Sequence, residues 1–133
     1  MTRNKSAQVL AGVSALAFLV AAGIHASSYR QVVLQAQQGI SGLTPLVATL
    51  WLTFAAALLV LAGIVGLVAL GRVGGGRWVL ALAGCFPLIT VVLQLLLLGF
   101  TRATAMLAAV AVVTFAAAVA LPGESEPLAG GSA

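Results

Sequence analysis

Four apolar runs without a single charge constrain this chain more than anything else in it. They cover residues 9–27, 45–70, 78–100 and 103–121. A hydrocarbon layer about 30 Å thick takes roughly 20 helical residues at 1.5 Å each, so every run is long enough to cross one. Inside lipid the backbone must satisfy its own polar groups, which leaves helices or closed barrels. Barrel strands alternate apolar and polar residues. Leu58-Leu59-Val60-Leu61 and Leu95-Leu96-Leu97-Leu98 do not alternate. The chain is therefore expected to be an all-α integral membrane protein, a four-transmembrane-helix bundle forming one domain over residues 1–121. The tail at 122–133 is Pro, Gly, Ser and Glu and is expected to be disordered.

Composition supports that class. Charged residues make up 6% of the chain, against about a quarter in a soluble domain. A hydrophobic share of 62% excludes disorder of the whole chain, which needs low hydrophobicity and high charge. The net charge of +4 reflects a scarcity of acids rather than a basic stripe, so nucleic acid is not expected as a partner. The bilayer itself is the expected partner, with other membrane subunits or a second copy as further candidates.

The six basic residues all lie between or outside the runs, and both acids, Glu124 and Glu126, lie in the tail. Arg3, Lys5, Arg72 and Arg77 fall on one side of the expected topology, Arg30 and Arg102 on the other. Cytoplasmic loops are rich in Lys and Arg, so both termini are expected in the cytoplasm of a cell whose inner (plasma) membrane the chain crosses four times. Arg3 and Lys5 before the first run also suit a signal peptide. Ile24-His25-Ala26 is a poor cleavage site and the run is long, so a retained helix is expected.

The joints predict how the helices turn. Arg72-Val73-Gly74-Gly75-Gly76-Arg77 suits a tight antiparallel hairpin, and Thr101-Arg102 a tighter one. The first joint is long. Tyr29, Val32, Val33 and Ala36 share helical spacing, so either helix one continues out of the membrane or a short amphipathic helix lies on its outer surface. Thr44-Pro45 reads as an N-cap followed by Pro at the first helical position. Small residues four apart, Ala11 and Ala15, Ala22 and Ala26, Ala62 and Gly66, together with the Ala-rich last run, permit close helix packing.

Polar side chains within a span are costly and therefore informative. His25 lies just inside the expected outer boundary, Thr49, Trp51 and Thr53 about 6–12 Å deep, and Gln94 about 9 Å deep at 1.5 Å per residue. Ala83, Pro87, Thr90 and Gln94 fall on one helix face, as do Ser14, Phe18, Ala21 and His25. Pro87 removes the donor to the Ala83 carbonyl and is expected to kink its helix. The two faces are expected to meet each other and Trp51 in an outward-opening pocket. The candidate ligand-binding set is His25, Tyr29, Arg30, Trp51, Thr90, Gln94 and Arg102.

Each has a plainer reading. His25, the one group in a span that titrates near neutrality, serves equally as an interfacial residue bonded to water or to Gln94. Tyr29, Arg30 and Arg102 serve as interfacial anchors instead of head-group contacts. Trp51 and Trp78 read as belt residues, and Cys85 as a small core residue. One His, one Cys and no acid in the membrane cannot build a metal site, and a single His cannot supply both axial ligands of a haem. No hydrolase triad, zinc helix or phosphate loop occurs.

These absences favour a non-enzymatic protein that binds a lipid, a quinone or another apolar ligand at the outer level, or an accessory subunit of a larger membrane complex. An oligomeric small-molecule transporter or channel is the alternative. An intramembrane isomerase or cyclase using His25 as acid or base is the third class. In size and number of spans the chain resembles small bacterial membrane proteins with four helices, DoxX-like proteins among them; the likeness assigns no residue a role.

Overall fold

A computed structural model describes residues 2–39 and 41–121; the expected disordered tail lies outside them. Helix α1 runs over Thr2–Ser27 and α2 over Tyr29–Gly39. A 3₁₀ turn, Ser41–Leu43, leads into α3, Thr44–Ala69, followed by α4, Gly76–Leu97, and α5, Arg102–Ala120. No strand occurs among the described residues. Four segments are long and apolar enough to cross a membrane: Lys5–Ser27 of α1, and the whole of α3, α4 and α5.

The buried positions form one stripe on each of these helices. On α1 they are Ala7, Ala11, Ser14, Phe18, Ala21 and Ala22. On α3 they are Ala55, Leu58, Ala62, Val65 and Val68. Steps of three and four keep such residues on one side of a helix. Helix α1 packs on α3 and on α5, and α5 packs on α4, so the helices follow one another around the bundle as α3, α1, α5, α4. Of the pairs adjacent in this order, α3 and α4 touch least, which leaves a seam.

Small residues set how closely the helices approach. A Cβ on Gly66 would stand 4.0 Å from the Ala15 methyl, and one on Gly84 would stand 3.1 Å from the Phe115 ring. Gly84 thus lets the Phe115 ring lie against the α4 backbone. Of the expected pairs, Ala11 and Ala62 are buried with Ala15 and Gly66 half-buried behind them, whereas Ala26 is exposed. In the Ala-rich helix α5, Ala117 and Ala118 face the core and Ala109 and Ala116 face outwards. Mid-bundle, the hydroxyls of Ser14 on α1 and Thr114 on α5 hydrogen-bond to each other.

The termini depart from the expected boundaries for local reasons. Helix α1 begins at Thr2, ahead of the apolar run, because Lys5 and its neighbours are helix-compatible though not apolar. Helix α3 is not capped by Thr44. Leu43 occupies the N-cap with no side-chain bond, the 3₁₀ turn feeds the helix, and Thr44 Oγ1 finds no partner. Pro45 still sits in the first turn, where its missing N–H leaves no gap. Helix α3 ends in a Schellman motif: the Arg72 N–H donates to Leu67 O and the Gly71 N–H to Val68 O, with Gly71 at φ +66°. Helix α4 stops at Leu97, short of Phe100, because Gly99 turns the chain at φ +74°. Thr101 then caps α5 in a reciprocal box with Thr104.

The first joint is resolved in favour of a separate short helix. Ser28 interrupts α1, and α2 folds back onto α3. Tyr29, Val32, Val33 and Ala36 are its half-buried residues, the face their spacing predicted, while Arg30, Gln31, Gln35 and Gln38 are exposed.

Candidate functional site

The end of α1 shows how the site is built. A helix leaves its last carbonyls without internal donors. Here Ser27 Oγ and Ser28 Oγ donate to Ile24 O at 2.7 and 3.2 Å. The His25 carbonyl receives the Ser28 N–H at 3.3 Å and the Trp51 indole Nε1–H at 2.7 Å. Trp51 therefore ties the end of α1 to the first turns of α3. Its ring also lies on the His25 imidazole, with centroids 3.8 Å apart and planes 14° from parallel. Phe54, one turn further along α3, touches the same imidazole at 4.7 Å, and Phe86 of α4 touches Phe54 at 5.3 Å. Aromatic faces thus run from α1 through α3 to α4.

Beside this stack, between α1, α3 and α4, lies a cleft of about 310 Å³. It is lined by His25, Val47, Leu50, Trp51, Phe54, Thr90 and Gln94. His25 at the end of α1 and Thr90 and Gln94 of α4 line this cleft with Trp51, but the two helix faces do not pack on each other as expected, because α5 and α3 lie between α1 and α4. Ala83 and Pro87 are buried below, and Thr90 and Gln94 are half-buried where the cleft opens.

The polar groups are already partly committed. Thr90 Oγ1 donates to Phe86 O at 2.9 Å and retains lone pairs. Thr104 Oγ1 of α5 donates to Gln94 Oε1 at 3.0 Å. That bond fixes the amide and leaves its N–H donors for the cleft. His25 Nε2 is buried with no hydrogen-bond partner. Of the two partners considered for His25, Gln94 is not one: its oxygen is bonded to Thr104 and His25 Nε2 has no protein partner. Trp51 is half-buried, with its ring and its N–H both engaged with α1.

A second cavity, of about 410 Å³, adjoins the other side of the stack. Ile24, His25, Ser28, Trp51, Arg102, Ala103 and Met106 line it. Of the seven expected site residues, four therefore line the first cleft and Arg102 lines the second. Tyr29 is half-buried on α2, Arg30 is exposed, and neither lines either cavity. Thr49 and Thr53 also stand apart: both are exposed and donate to Pro45 O and Thr49 O, each at 2.8 Å. Sequence reasoning missed Phe54, and it placed Thr104 with Arg102 at that end of the last two helices without seeing its bond to Gln94. Phe54 lies in a run that is apolar on every side, so no signal singled it out, and nothing marked Thr104 as a partner of Gln94. Among the described residues no three His, Cys, Asp or Glu side chains come together to hold a metal ion. Comparison with protein-family models, with curated proteins and with solved structures returns no match to this chain.

Proposed function

We propose that this chain is a multi-pass plasma-membrane protein, with both termini cytoplasmic, that binds an apolar molecule in the cleft between α1, α3 and α4. The ligand class is a lipid, a quinone or a similar molecule whose polar end carries a hydrogen-bond acceptor. The observation that carries this reading is the Gln94 amide. Its oxygen is held by Thr104, and its N–H groups are left beside a cleft walled by Trp51 and Phe54. Flat aromatic walls suit a ring placed against them, and the amide suits a carbonyl at the ring's edge. No Asp, Glu, Lys or Arg lines this cleft, so recognition rests on shape, ring contact and hydrogen bonding.

The test is mass spectrometry of small molecules that co-purify with the full chain in mild detergent. The wild-type chain should retain one apolar species at near-equal ratio, and Gln94→Leu should retain much less of it. A wild-type chain carrying nothing beyond detergent and bulk lipid in bulk proportions would overturn the reading.

A further inference from the structure

We propose that the second cavity, beside Arg102, seats one anionic phospholipid, with its phosphate on the Arg102 side chain and the start of an acyl chain over Ile24 and Met106. This cavity lies across the His25–Trp51 wall from the cleft holding Gln94, and its polar group is Arg102 rather than Gln94. Three observations converge on it.

The first is unbalanced charge. Arg102 is the one charged side chain lining this cavity, and no acidic residue occurs among residues 2–121. The second is the backbone around it. Arg102 occupies the first turn of α5, where the helix dipole already disfavours a cation and favours an anion. Thr101 satisfies the N–H groups of Thr104 and Ala105. The N–H groups of Arg102 and Ala103 donate to no backbone carbonyl. The third is the character of the remaining wall. Ile24, Ala103, Met106 and the Trp51 ring are apolar, which suits an acyl chain and is a poor surround for a free hydrated anion. An anionic lipid meets all three conditions: it neutralises Arg102, it complements the helix end, and it fills the apolar part.

The experiment is native mass spectrometry of the full chain in detergent, with phosphatidylglycerol and phosphatidylcholine of identical acyl chains supplied in equal amounts. One basic residue at a membrane surface is worth about fivefold in binding an anionic lipid, so the wild-type chain should retain phosphatidylglycerol over phosphatidylcholine by about that ratio. Arg102→Gln should remove the preference. Arg30→Gln, which removes a charge from α2, should keep it. Met106→Trp, which fills the cavity without touching the charge, should lose the bound lipid. Equal retention of the two lipids by the wild-type chain would overturn the proposal. So would an equal loss in Arg30→Gln and Arg102→Gln, which means diffuse surface attraction. So would inorganic phosphate raising the thermal midpoint as far as phosphatidylglycerol does, which means a free-anion site. Should Arg102→Gln fail to fold by circular dichroism, Arg102→Lys must keep the preference and Met106→Trp must still lose it. Gln94→Leu should leave the lipid preference intact, so failure at one site is distinguishable from failure at the other.

Discussion

The indole of Trp51 lies 3.8 Å from the His25 imidazole, ring on ring, and donates its Nε1–H to the carbonyl of that same residue at 2.7 Å. One side chain therefore closes the end of α1, sets the rotation of α3 against it, and forms the wall shared by two cavities. These roles are separable by substitution. Trp51→Phe keeps a ring and loses the N–H, and should lower stability by about 1 kcal/mol. Trp51→Ala also removes the packed ring and should lower it by about 3–5 kcal/mol. Thermal unfolding in detergent measures both. Equal losses would mean that the ring itself contributes nothing.

His25→Phe preserves an aromatic face on Trp51 and removes the buried Nε2 that has no partner. An unsatisfied buried polar atom is a penalty to the fold, so this variant should unfold at the same temperature as the wild-type chain or higher. A clear drop in its midpoint would show that Nε2 has a partner in the membrane.

Gln94→Leu keeps the bulk of the side chain and deletes both the acceptor for Thr104 and the donor to the cleft. Loss of one hydrogen bond to a ligand should weaken quinone binding by about tenfold, equivalent to about 1.4 kcal/mol. Quenching of Trp51 fluorescence by an added soluble quinone reports it. Trp78, 72% exposed at the start of α4, is first changed to Phe so that one indole remains. Identical quenching curves for the Gln94→Leu chain and its parent would remove the amide from recognition.

Gly84→Ala should lower stability by about 1–3 kcal/mol, since its new methyl would stand 3.1–3.3 Å from three carbons of the Phe115 ring. Gly63→Ala meets nothing within 4 Å and should be neutral or stabilising by up to about 1 kcal/mol. The two variants have the same chemistry, so a difference in their unfolding midpoints isolates the contact.

Ser14 and Thr114 offer a paired test inside the bundle. Thr114 Oγ1 donates to Val110 O at 2.7 Å, so in their mutual bond Ser14 is the donor and Thr114 the acceptor. Ser14→Ala and Thr114→Val should couple by about 0.6 kcal/mol in a double-mutant cycle, a typical value for such bonds between membrane helices. Strict additivity would show that the pair contributes no net stability.

The four spans were legible because length and hydropathy alone define them. The faces carrying Gln94 on α4 and His25 on α1 were legible because a few polar or kink-forming residues marked them. The α2 face was legible because that helix is truly amphipathic. Helix α3 was harder. Its residues are apolar on every side, so periodicity singles out no face, and Phe54 looked like any other member of the run. Contacts between helices were harder still. Whether Gln94 meets His25 or Thr104 depends on the rotation of α4 against α5, which the cap at Thr101 and the Phe115 contact at Gly84 decide. Hydropathy carries no information about either.

The seam between α3 and α4 bears on how a ligand is chosen. On the proposed function, a molecule dissolved in the acyl layer would reach Gln94 by moving sideways between these helices, without passing through water. Its apolar surface leaves one hydrocarbon surround for another, so burying it adds almost no driving force. Selection then falls on the few contacts that lipid cannot imitate, the aromatic faces of Trp51 and Phe54 and the Gln94 amide. A longer hydrocarbon tail would gain the ligand nothing at this site, whereas moving or deleting its carbonyl would cost it the site.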